Sequence, residues 1–191
     1  MQGYPDLKRQ AAEAQGSVMF YLLAYTVSTA GAFGALSSLI TGLRSLGNDT
    51  PILNSWAGDG TYWLPKSPPV TNYYFITYAS AFGDDPSPEV NALAAQLKKE
   101  SPQLAATGGF ITGPAAIDGL VTAIKRARST KGRALAAVME KFKKVPTLSG
   151  LVSFSPQLHS VFGRKYRVIE IQDNQPKVLG EIAAKVVPKI D

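Results

Sequence analysis

The chain contains no cysteine and one histidine, His159. The absence of thiols excludes a disulfide framework, a thiolate metal site and a cysteine nucleophile. A lone histidine without an orienting partner is not a general base in waiting. The sequence carries neither a GxSxG elbow nor an HExxH pair, and AGAFGAL at 30–36 misses the GxGxxG spacing that a pyrophosphate turn requires. Nothing in it points to catalysis, a metal or a cofactor. The excess of positive charge is small, 20 Lys and Arg against 14 Asp and Glu in 191 residues, or +6. A cluster at Lys125, Arg126, Arg128, Lys131 and Arg133 has no interleaved aromatics, so it reads as a solvated helix end and not as a nucleic-acid face.

What is present is a globular core. Hydrophobic residues make up 45% of the chain, enough for one core or a core and a half. Met1 to Pro5 has neither the basic run nor the apolar centre of a secretory leader, so a secreted origin implies a mature form or a fragment. Residues 17–43 carry no charge over 27 positions, a length that raises the question of a membrane span. Their four serines, three threonines and three glycines instead suit a buried strand followed by a buried helix.

Helices and strands alternate along the chain. Pro5 opens a helix that Gly16 closes, residues 18–24 form a doubly buried strand, and a helix over about 29–46 stops at Gly47. Strands follow at 51–54 and 72–78, the second aromatic and β-branched after a proline-rich connection. Helical spacing of apolar residues predicts helices over 89–100, about 115–128 and 132–144. Strands at 151–154, 166–172 and 178–182 close the chain, the last two joined by a turn at Asp173-Asn174. The series is that of a doubly wound α/β sheet with right-handed crossovers.

The segment TPILNSWAGDG (50–60) is the most suggestive. A strand ends there in an indole and a carboxylate, and in open α/β sheets ligands collect beyond the carboxyl ends of strands. A carboxylate such as Asp59, if buried at that strand end, is costly unless a charge-assisted partner meets it. The other reading is a turn aspartate bonding its own backbone. Trp56 offers either a ligand wall or packing under the loop.

TPILNSWAGDGTYW, NYYFITYASAFGDDPSPEV, FITGPAAIDGLVTAIKRARS and LSGLVSFSPQLHSVFGRKYRVIEIQDNQPK resemble, in that order and spacing, the C-terminal half of ABC-transporter extracellular solute-binding proteins of the leucine/isoleucine/valine type. The resemblance implies a three-layer α/β/α fold of the type I periplasmic-binding class, with a mostly parallel sheet and the N-terminal half missing. It implies a division at 1–82 (second lobe), 83–146 (first-lobe helices) and 147–191 (return to the second lobe). It also implies a non-enzymatic, periplasmic or cell-surface protein that binds an amino acid or similar small carboxylate between two hinged lobes. Tyr25, Trp56, Asp59 and Phe110 would contact the ligand. The implied partners are an ABC permease and either the missing half or a second copy, because helices lacking their sheet expose apolar faces. A flavodoxin-like or Rossmann-like enzyme or nucleotide-binding domain is the alternative.

Overall fold

The computed structural model of the protein describes residues 34–161 and 163–185. The chain divides into two compact units, 1–48 with 65–68, and 49–64 with 69–191. The expected elements before residue 34, Tyr25 among them, lie outside the described residues.

In the first unit, α1 (34–45) ends where the sequence indicates. Gly47 takes φ +74°, and the amides of Asn48 and Gly47 bond the carbonyls of Leu43 and Arg44 at 3.0 Å each. This is a Schellman stop, and it needs a residue that accepts a left-handed backbone.

The second unit is built on a four-stranded sheet of order β1-β2-β5-β6, with β1 Ile52–Asn54, β2 Tyr73–Thr77, β5 Tyr166–Gln172 and β6 Gln175–Ile182. Among the described residues parallel pairing is confined to β1 and β2; β5 runs antiparallel to both β2 and β6. The expectation of a mostly parallel sheet therefore does not extend to these strands, and between β5 and β6 the reason is local. Asp173 and Asn174 both adopt positive φ, 51° and 62°, giving the two-residue turn that can join only antiparallel neighbours. Asn174 also clamps the start of β2: its Oδ1 accepts from the Val70 amide at 2.8 Å, and its own amide donates to the Val70 carbonyl at 3.0 Å.

Alternation along β2 sends Tyr73, Phe75 and Thr77 inward, opposite Ile171, Ile169 and Arg167 of β5. Tyr73, Phe75, Ile169 and Ile171 are fully buried, and Trp63 meets the Tyr73 ring edge-on at 4.9 Å. Dense aromatic burial of this kind dominates the energetics of a small core.

Helices α2 (Pro88–Glu100), α3 (Thr112–Ala127) and α4 (Gly132–Met139) follow. A second cluster packs Phe142, Ala123, Val145 and Val152 beneath Leu135, Val138 and Met139. Here α4 ends five residues earlier than the apolar spacing suggests. Its last turn tightens, with Lys141 and Phe142 donating to the carbonyls three residues back, and this drops the Phe142 ring into the core. The chain then forms a hairpin in which an unanticipated strand, β3 (Val145–Thr147), pairs with β4 (Gly150–Val152), which overlaps the strand expected at 151–154. Pro146 and the shortness of β3 hide it from pattern reading.

Beyond β2, Asp85 ties the unit together. Its carboxylate takes two bonds from Arg167 (3.0 and 2.9 Å), one from the Ser80 amide (2.7 Å) and one from the Ser87 amide (2.9 Å). Arg167 also pairs with Glu181 on β6 at 3.0 Å. Burial pushes the Asp85 carboxyl up, but the guanidinium and the two amides outweigh it and hold the pKa below the ordinary value.

Candidate functional site

The carboxyl end of β2 is where the described candidates meet. After β1, Ser55 caps a single helical turn, Trp56–Gly58, its hydroxyl accepting from the Ala57 amide at 3.3 Å. The turn presents Trp56, which is 59% exposed, and folds Asp59 inward, which is 5% exposed. Glycine on both sides of Asp59 is a steric requirement at Gly58 in particular. A Cβ there would stand 2.2 Å from the Tyr73 hydroxyl.

The Asp59 Oδ2 accepts from the Thr77 hydroxyl at 2.6 Å. Its Oδ1 is buried and has no hydrogen-bond partner among the described residues. Burial raises the Asp59 pKa, opposed by the Thr77 hydroxyl and by the nearby amides of Gly108, Gly60 and Gly109. Those amides favour the charge, but none reaches Oδ1 with hydrogen-bonding geometry. Two of them belong to the short helical turn Gly108–Ile111 that leads into α3, the positive end of a helix dipole. An unpartnered buried oxygen on a carboxylate is costly, and a cation donor would relieve it.

Around this carboxylate lies an aromatic layer. Trp56 lies 6.4 Å from Tyr78, Tyr78 lies 5.7 Å from Tyr166, and the Arg164 guanidinium sits over the Tyr78 ring at 5.1 Å. Phe110 is half-buried and packs, with Tyr78, against Ala79, Val90 and Ile111. Trp56, Asp59 and Phe110 thus converge on residues 77–79, while Tyr25 lies outside the described residues. His159 is elsewhere, exposed, with Nε2 3.3 Å from a Glu140 oxygen. A cavity of about 380 Å³, lined by residues including Ser87, Thr147, Ser149, Arg164 and Arg167, opens beside the Arg164–Tyr78 pair. Among the described residues no cluster of His, Asp or Glu is arranged to hold a metal ion.

Sequence reading missed Thr77 and Tyr78 as members of this group. The signal was available, since Thr77 falls on the inward register of Tyr73 and Phe75, and a buried hydroxyl needs a partner. It also missed Gly108, whose Cβ would lie 1.9 Å from the Ala79 carbonyl oxygen and 2.3 Å from the Thr77 hydroxyl. Gly108→Ala is therefore expected to lower stability by about 1–3 kcal/mol in urea unfolding. Gly109→Ala, whose Cβ meets only Thr107 Oγ1 at 3.4 Å, should stay close to neutral.

Comparison with known proteins bears on the family and the fold. A family model described as "Periplasmic binding protein" matches residues 2–176. A leucine-binding protein from Thermotoga maritima shares the fold at a TM-score of 0.59 with 18% identity, over 78% of this chain and 42% of that one. A fatty acid ABC transporter substrate-binding protein from Thermomonospora curvata gives 0.57 and 20%, over 78% of this chain and 40% of that one. The chain thus spans about two fifths of the solved structures it resembles. A short match, 75% identical over 28 residues, links it to NADH-quinone oxidoreductase subunit N 1 of Sorangium cellulosum; it covers 15% of this chain and 6% of that protein. Over so small a share it carries no functional argument.

Proposed function

Since the chain belongs to the periplasmic binding protein family, we propose that it forms one wall of a solute cleft in the binding component of an ABC importer, without catalytic activity. Its ligand is an amino acid or a similar small amphiphilic carboxylate. The observation that carries the reading is the Asp59 carboxylate, buried, held by Thr77 on one oxygen and unpartnered on the other. A ligand ammonium would supply the missing donor, while Trp56 and Tyr78 would cover an apolar side chain. Phe110 supports the floor of the same wall, and Tyr25 is a further proposed contact.

The opposite wall would come from the rest of such a receptor or from a second copy, and closure of the two walls on the solute would be the state an ABC permease recognises. A periplasmic or cell-surface location follows from this role. The names of the structural relatives, one binding leucine and one fatty acid, agree with a solute that has an apolar body, and of the two only leucine also carries an ammonium for Asp59.

Titration with a panel of amino acids, nucleotides and fatty acids, followed by Trp fluorescence, tests the proposal. Amino acids with apolar side chains should perturb the exposed Trp56, and Asp59→Asn should weaken them at least tenfold, the effect of losing about 1.5–3 kcal/mol of charged hydrogen bonding. A response confined to nucleotides would sink the reading. The pH dependence has a definite sign. The ligand needs ionised Asp59, whose pKa is raised by burial, so affinity should fall on acidification at a pH above that expected of an exposed carboxylate. Asp59→Asn should remove that dependence.

A further inference from the structure

The charge of this protein is not spread evenly. Residues 125–144 hold eight Lys and Arg and one acid, Glu140, a net of +7 in a chain whose total is +6. The rest is close to neutral. The fold collects these cations on one face. Lys125 and Arg126 end α3, Arg128 and Lys131 occupy the turn, and Arg133 begins α4. Lys141, Lys143 and Lys144 return to the same place, because the Phe142 ring between them lies under the Arg126 guanidinium, 5.3 Å from it. All eight side chains are exposed, and none forms a salt bridge with another of the described residues.

Two local features show that the fold gains little from four of these cations. Lys131 and Arg133 stand at the N-terminus of α4, where the helix dipole disfavours positive charge. Arg128 and Lys144 adopt φ of 49° and 50°, a left-handed backbone that glycine or asparagine fills at less cost. Residues that break local rules without structural return point to a function outside the fold.

From this we infer that the face formed by the end of α3, the start of α4 and residues 141–144 docks on an anionic phospholipid bilayer. Clusters of this size read as recognition of acidic headgroups, each cation adding a small increment. Two observations favour lipid over nucleic acid. The one aromatic in the cluster, Phe142, is fully buried and offers no ring for base stacking. On α3 the exposed Ile117 and Val121 continue, at four-residue spacing, into Lys125, so the cationic face runs into an aliphatic edge suited to the headgroup–acyl boundary.

Co-sedimentation of the full chain with phosphatidylcholine vesicles, with and without phosphatidylglycerol, tests the inference. Binding should require phosphatidylglycerol and weaken as salt rises. The triple variant Lys131→Gln, Arg133→Gln, Lys143→Gln should reduce partitioning roughly a hundredfold, with its circular dichroism unchanged. Arg128→Gly separates lipid binding from folding: it should raise the melting temperature by relieving the left-handed backbone, yet weaken vesicle binding. Equal binding to phosphatidylcholine alone, no effect of the triple variant, tighter binding to duplex DNA than to the acidic vesicles, or a dimer in sedimentation velocity that the same substitutions dissociate would each overturn it. Loss of amino-acid binding in Asp59→Asn should leave vesicle binding intact, so failure of one proposal is distinguishable from failure of the other.

Discussion

Replacing Arg167 by alanine is expected to lower the unfolding free energy by about 3–5 kcal/mol, the cost of leaving a buried charge without its partner. The side chain of Asp85 is fully buried and that of Arg167 is only 12% exposed, so water cannot take over the role of either. The pair joins β5 to the loop after β2 and to the start of α2, where Asn91 and Asp85 also exchange bonds of 2.9 and 2.8 Å. Losing Arg167 should therefore loosen three elements together.

Urea unfolding at neutral pH gives the magnitude, and its pH dependence identifies the cause. The folded pKa of Asp85 lies below its unfolded value, so its contribution is present above roughly pH 4 and is lost as pH falls through the depressed folded value. In Arg167→Ala that acid-dependent loss should shrink. A variant destabilised to the same extent but with an unchanged acid profile would show that packing, and not the ion pair, holds the loop.

Phe142→Ala should cost a similar amount, about 3–5 kcal/mol. The ring is fully buried, stacks on Phe154 at 6.1 Å and lies beneath Arg126. It is the largest member of the cluster that joins α3, α4 and the β3–β4 hairpin. Hydrogen exchange should quicken across α4, β3 and β4 before the four-stranded sheet is affected. Phe142→Leu, which keeps most of the volume, should recover more than half of the loss. If the alanine variant instead loosened β2 and β5 to the same degree, the two clusters would be one cooperative unit.

Much of this fold was legible because particular residues have few physical options. Gly47 stops α1, Asp173-Asn174 turns β5 into β6, and the alternation of NYYFITY sets the inward face of β2. The misjudged end of α4 has a different origin. Leu135, Val138, Met139 and Phe142 keep helical spacing, but the demand of Phe142 for a buried site is met by breaking the helix, a tertiary effect that a local pattern cannot carry. In the candidate site, Trp56 and Asp59 were visible as chemistry at a strand end. Thr77 was legible only as an inward-facing hydroxyl in need of a partner, and Gly108 not at all, because its importance lies in approach between segments about thirty residues apart. The Asp85–Arg167 pair was hidden by the same distance, 82 residues along the chain.

The clamp of Asn174 on Val70 has a consequence for how the protein is made. The two residues are 104 positions apart, and β2 has no partner on its β5 side until Tyr166 and the residues after it have been synthesised. At about 5–20 residues per second, an apolar strand edge waits for roughly 5–20 s on the ribosome. Pairing at such long sequence separation is also slow once it becomes possible. The nascent chain is thus most exposed to aggregation between completion of β2 and arrival of β5, and a slowed or interrupted translation in the α2–α4 region would lengthen that interval.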